Sequence, residues 1–131
     1  MALLRPYIYS SNASEQAAYY AEVFGGEVKL VTTYADIPGG EEYAQDRVLH
    51  LELELAGHMF YLADKKNLLP GNMLDLGLEF PTDEEAFRIF QTLAGSEGSE
   101  VLVPYDSMFD GVHMGRVKDR YGVVWNIAYQ H

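Results

Sequence analysis

No cysteine occurs anywhere in the 131 residues. That absence removes disulfides, zinc–thiolate centres and thiol nucleophiles together, and it leads to the expectation of a cytoplasmic protein. Basic residues are few: nine Lys and Arg stand against twenty Asp and Glu, for a net charge of −11. Such a surface repels phosphate backbones and the anionic leaflet of a membrane, so neither nucleic acid nor membrane is an expected partner. It favours small ligands that are neutral or cationic. No apolar run approaches the ~20 residues that cross a bilayer, and the opening MALLRPYIYS turns polar too soon for a secretory signal. Missing too are a glycine-rich phosphate loop, a Gly-x-Ser-x-Gly elbow and a dinucleotide fingerprint. The Gly39-Gly40 pair reads as a loop.

What is present reads as one α+β domain of ordinary size and composition. A helix is expected over Ala13–Phe24: Asn12 caps it, Glu15 stands in the capping-box position, and Ala17, Tyr20, Ala21 and Phe24 form one apolar face. Gly25 and Gly26 end it. A second helix is expected over Asp83–Ala94, with Thr82 and Glu85 at its start, Ala86, Ile89, Phe90 and Leu93 as its stripe and Gly95 as its stop. Elsewhere the period is two. Val48–Leu55 alternates strictly, Ala56-Gly57-His58 makes a tight turn, and Met59–Ala63 returns as a hairpin partner. Further strands are expected over Leu4–Ser10, Glu27–Tyr34, Asp75–Phe80, Glu100–Pro104, Val112–Lys118 and Val123–Tyr129. Ala35–Asp46 and Lys65–Asn72 read as mobile loops.

The order is β-α-β-β-β twice over. A spacing of 69 residues relates Glu15 to Glu84, Ala17 to Ala86, Phe24 to Leu93 and Gly26 to Gly95. Caps, stripes and stops repeat together, which defines two modules, about 1–66 and 72–131, within one domain.

In this order the chain resembles the vicinal oxygen chelate superfamily (glyoxalase, bleomycin-resistance and extradiol-dioxygenase relatives), and within it the PhnB-like branch. The residues that carry the likeness are Arg5-Pro6-Tyr7-Ile8, Tyr19 to Glu27, Val48-Leu49-His50-Leu51-Glu52-Leu53, and Asp119 to Ile127 with its Asp-x-x-Gly-Val-x-Trp element. The resemblance implies paired βαβββ modules forming an open, U-shaped mixed-sheet barrel around a cavity, commonly in a homodimer. It also implies, in metal-using relatives, four His or Glu ligands inside the barrel. Matched one at a time, those positions fall at or near Arg5, at Tyr61, at Asp75 or Leu76, and at Asn126. Arginine does not ligate metals in the ordinary way, and Tyr and Asn are weak ligands for zinc, nickel or iron. Neither a metal nor another cofactor is therefore expected. The branch is linked by name to phosphonate metabolism and quinone methylation; the acidic charge speaks against the first, and the missing cofactor loop against the second.

Alternation supplies the candidate site. If the apolar strand faces meet the helices, Tyr7, Tyr9, His50, Glu52, Tyr61 and Asn126 face the cavity, with Asp75 if its strand is in that phase. Leu49, Leu51, Leu53, Phe60, Leu62, Trp125 and Ile127 are then core. His50 beside Glu52 suits a general base, since a carboxylate holds one imidazole tautomer, and equally suits a hydrogen-bonded strand histidine. His113, next to the Phe109-Asp110-Gly111 turn, is a candidate for the cavity mouth or its rim. His58 lies in a turn and His131 at the terminus. Tyrosine offers an apolar ring with a polar tip, fitted to flat or amphipathic ligands. Two functions follow: a metal-free cavity binding a small neutral or cationic organic molecule, with Arg5 among its lining, or an enzyme of the lyase, isomerase or dioxygenase type using an unusual metal set or His50.

Overall fold

The computed structural model describes residues 1–130; His131 lies outside the described residues. The chain forms two compact units, Met1–Leu68 and Leu69–His131. The first runs β1 (Tyr7–Ser10), α1 (Ala13–Phe24), β2 (Glu27–Thr33), β3 (Val48–Leu55) and β4 (His58–Asp64). The second runs β5 (Leu76–Glu79), α2 (Asp83–Ala94), β6 (Glu100–Ser107), β7 (Val112–Lys118) and β8 (Val124–Gln130). Each folds as a four-stranded mixed sheet, ordered β1-β4-β3-β2 in one unit and β5-β8-β7-β6 in the other. The first strand of each unit pairs parallel to its last, and the other pairs are antiparallel.

Both helices begin and end where their local signals sit. The Asn12 side chain accepts from the Glu15 amide at 3.1 Å, and Thr82 accepts from the Glu85 amide at 3.2 Å. Gly25 closes α1 in the left-handed conformation at φ 74°. Each helix buries one stripe against one sheet face. In the first unit Ala17, Tyr20 and Val23 meet Leu51, Leu53, Leu55, Phe60 and Leu62, all buried. In the second, Ala86, Ile89, Phe90 and Leu93 meet Val117, Trp125 and Ile127. Phe90 packs so close to β7 that a Cβ on Gly115 would stand 2.6 Å from its ring. Trp125 is fully buried because its indole has a partner: Nε1 donates to Asp119 at 2.9 Å. The other oxygen of that carboxylate accepts from the amides of Tyr121 and Val123, so the Asp-x-x-Gly-Val-x-Trp element is a turn tied by one buried acid.

Most strand boundaries fall within one residue of the expectation, with His58 opening β4 rather than lying in the turn; the larger differences have physical reasons. β1 starts at Tyr7 rather than Leu4, because Pro6 has no amide to donate; its carbonyl is the last to pair, accepting from Tyr61. β6 continues through Pro104 to Ser107, which an edge strand allows, with its register against β7 shifting between Val103 and Asp106. The segment after β2, expected as a loop, contains 3-10 turns at Tyr34–Asp36 and Gly40–Glu42. Asp36 accepts from the Thr33 amide, and the Tyr34 and Tyr43 rings lie 4.4 Å apart.

Candidate functional site

Covering one face of each sheet with a helix leaves the other face to the alternate residues. In the first unit those residues are brought together by register. Tyr7 stands opposite Tyr61 across the parallel pair, and Tyr61 stands opposite Glu52 across the hairpin. His50 follows Glu52 two residues back on the same face. Tyr7 and Tyr9 keep 45% and 50% of their surface, so this face is open while its reverse is sealed by α1.

The rings form a connected patch. The Tyr7 and Tyr9 centroids lie 5.3 Å apart and stacked, Tyr7 meets Tyr61 edge-on at 5.7 Å, and Tyr61 meets His50 at 4.8 Å. A hydrogen-bonded chain runs through it: His50 Nδ1 lies 3.1 Å from the Tyr7 hydroxyl, and His50 Nε2 lies 3.1 Å from Glu52 Oε2. A carboxylate only accepts, so a neutral His50 donates from Nε2 to Glu52 and its Nδ1 accepts the Tyr7 hydroxyl proton. Partial burial, and after it the neighbouring phenols of Tyr9 and Tyr61, push the Tyr7 pKa above the ordinary phenol value. Tyr7 thus stays protonated, and while His50 is neutral its hydroxyl proton is turned inward to Nδ1. The Lys65 ammonium already sits 4.8 Å above the Tyr9 ring, a cation on the electron-rich face.

In the second unit, Asp75 and Asn126 share the helix-free face. Leu76 lies beside buried Trp125 and Gly77 beside Asn126, which places Leu76 toward the core and turns Asp75 away from it. Asp75 is held by a residue that no local pattern singles out: Arg116, the cross-strand partner of Asn126. Its Nε donates to Asp75 Oδ2 at 2.6 Å and its Nη2 to Oδ1 at 3.0 Å. That hydrogen bonding, outweighing burial, holds the Asp75 carboxyl below its ordinary range.

The remaining candidates lie elsewhere. Arg5 precedes β1, is exposed and forms no hydrogen bond or ion pair among the described residues. His113 faces α2, on the reverse of the sheet from Asn126. Its Nδ1 lies 2.9 Å from Asp83 at the start of α2, and the Tyr105 hydroxyl donates to the same oxygen at 2.6 Å. Burial and that bond push the Tyr105 pKa far above the phenol range.

The positions where relatives hold a metal do not fit one here. Arg5 and Asn126 offer no anionic donor, Tyr61 offers a phenol, and both oxygens of Asp75 are taken by Arg116. Among the described residues no three His, Asp or Glu side chains converge as a ligand set. Among the described residues no helix is long and apolar enough to cross a membrane.

The family model described as 3-demethylubiquinone-9 3-methyltransferase matches residues 3–128. No curated protein matches the sequence. Among solved structures, protein PA1353 from Pseudomonas aeruginosa is 24% identical over 98% of both chains, with a TM-score of 0.79. The PhnB protein from Bacillus cereus is 22% identical over 98% of this chain and 99% of its own, with a TM-score of 0.78. A glyoxalase/bleomycin resistance protein/dioxygenase family enzyme from Burkholderia phytofirmans PsJN is 12% identical over 95% of each, with a TM-score of 0.70. At such identities the likeness is one of fold, that of the glyoxalase/bleomycin-resistance group.

Proposed function

The chain belongs to the family described as 3-demethylubiquinone-9 3-methyltransferase, the PhnB-like branch of the vicinal oxygen chelate superfamily, and from that premise we propose that it binds a small neutral or cationic organic molecule without a metal. The ligand lies against the open face of the first sheet, with its flat body on Tyr7, Tyr9 and Tyr61.

One observation carries this reading: a connected patch of three tyrosine rings with an acid, Glu52, at its edge. Electron-rich ring faces and a carboxylate favour cations, each cation–π contact contributing about 0.5–2 kcal/mol. The net charge of −11 acts in the same direction at longer range. The activity in the family's description is not carried over, since no glycine-rich cofactor loop follows a strand in this sequence.

A titration with benzyltrimethylammonium, followed by calorimetry and tyrosine fluorescence, tests the proposal. Saturable binding is expected, weakened about tenfold or more in Tyr7→Ala and Tyr61→Ala. No binding of this or any cationic or neutral aromatic probe, or full binding in both variants, contradicts it.

A second reading is supported by the hydrogen-bonded chain itself. Glu52 fixes the His50 tautomer and His50 accepts a hydrogen bond from the Tyr7 hydroxyl, an arrangement suited to acid–base catalysis in a lyase or isomerase. A turnover lost in His50→Gln while benzyltrimethylammonium binding is kept favours that reading over simple binding.

A further inference from the structure

The helix-free face of the second sheet holds polar groups whose bonding capacity is not used up. Asp75 gives both oxygens to Arg116. Arg116 carries five N–H donors; two go to Asp75, and no other described residue takes the rest. Across the strand pair, the carboxamide of Asn126 has no hydrogen-bond partner among the described residues. Neither side chain is fully buried, so these donors are reachable. On the far side of Asn126 from Arg116 the edge strand is bare: Gly77 of β5 pairs with Asn126, and a Cβ built on it would meet no atom within 4 Å.

We propose that this bay binds the acceptor oxygen of a carbonyl or carboxylate group, with the Arg116 guanidinium as a built-in cation and Asn126 as a second donor. The guanidinium does what a divalent ion would do at an oxygen-binding site: it presents fixed positive charge to an oxygen lone pair, and its planar fork adds direction. Asp75 is a positioning residue. By holding Nε and Nη2 it fixes the plane of the guanidinium and leaves the Nη1 hydrogens free for a ligand. Because the Asp75 carboxyl is held below its ordinary range by this partner, the pair stays charged through neutral pH. The paired acid offsets part of that charge, so a neutral amide or ketone oxygen is accepted as well as an anion. The inference stands on the second unit alone and does not depend on the tyrosine patch.

The test is a titration of the whole chain with benzamide, benzoate and benzylammonium, read in proton–nitrogen correlation spectra. Benzamide and benzoate are expected to shift the Arg116 Nε–H and Asn126 carboxamide signals, and benzylammonium to leave both in place. Arg116→Lys, which keeps the charge but loses the fork, is expected to weaken benzamide binding about tenfold. Asn126→Asp, which leaves the strand pairing intact, is expected to weaken benzoate more than benzamide. Three results overturn the proposal: no shift at Arg116 with either oxygen probe at millimolar concentration, undiminished affinity in both variants, or a stoichiometric divalent ion seated on Asp75. Since benzyltrimethylammonium reports on the tyrosine patch, failure here and failure there are read separately.

Discussion

At the turn between β3 and β4, Ala56 and Gly57 sit at φ 49° and 78°, both on the positive side that a two-residue hairpin of this hand requires. Glycine takes that conformation freely, whereas for alanine it costs about 1–2 kcal/mol. Ala56→Asn is therefore expected to stabilise the chain by about 0.5–1 kcal/mol, seen as a higher urea midpoint; an unchanged or lower midpoint contradicts the strain. The turn itself was legible from Ala56-Gly57 between two alternating runs. The sign of φ at Ala56 was not, since it is imposed by the pairing of Leu55 with His58 on either side. The same division holds in the candidate site. His50 and Glu52 are two residues apart, and their contact follows from strand alternation alone. The Tyr7–His50 and Asp75–Arg116 contacts span 43 and 41 residues, and no local pattern encodes them.

Among elements, the helices were readable to the residue because caps and stripes act within one or two turns of chain. Their attachment to the sheets was not. Asp64, the last residue of β4, accepts from the amide of Ala13 at 2.7 Å and from that of Val48 at 2.8 Å, tying the start of α1 to the start of β3. Nothing in the sequence distinguished this acid from nineteen others. Asp64→Ala leaves two donors without a partner on residues that are themselves buried, and is expected to cost about 2–4 kcal/mol of unfolding free energy. Asp64→Asn, which keeps one acceptor oxygen, is expected to fall between. A loss under 0.5 kcal/mol for the alanine variant, measured by urea unfolding, removes Asp64 from this role. Pro104 is the converse case at this scale. It argued for ending β6, and only the edge position of that strand in the sheet order lets the strand run on.

For the whole molecule the governing quantity is charge. Twenty acids against nine bases give −11, and the folded chain concentrates that charge more than the unfolded one does. Salt screens the resulting repulsion over about 10 Å at 0.1 M. The melting temperature is accordingly expected to rise between low and moderate concentrations of sodium chloride, and a fall would show that attractive pairs, not repulsion, dominate. Length, charge, the doubled β-α-β-β-β order and the phase of nearly every strand were determined by the sequence alone, because each is a sum over the chain or a pattern repeated within a few residues. Which acid meets which base, which tyrosines share a patch and where a glycine leaves room were decided only by the tertiary structure. Those contacts depend on the register between strands distant in the chain, and register is settled by all pairings of a sheet at once.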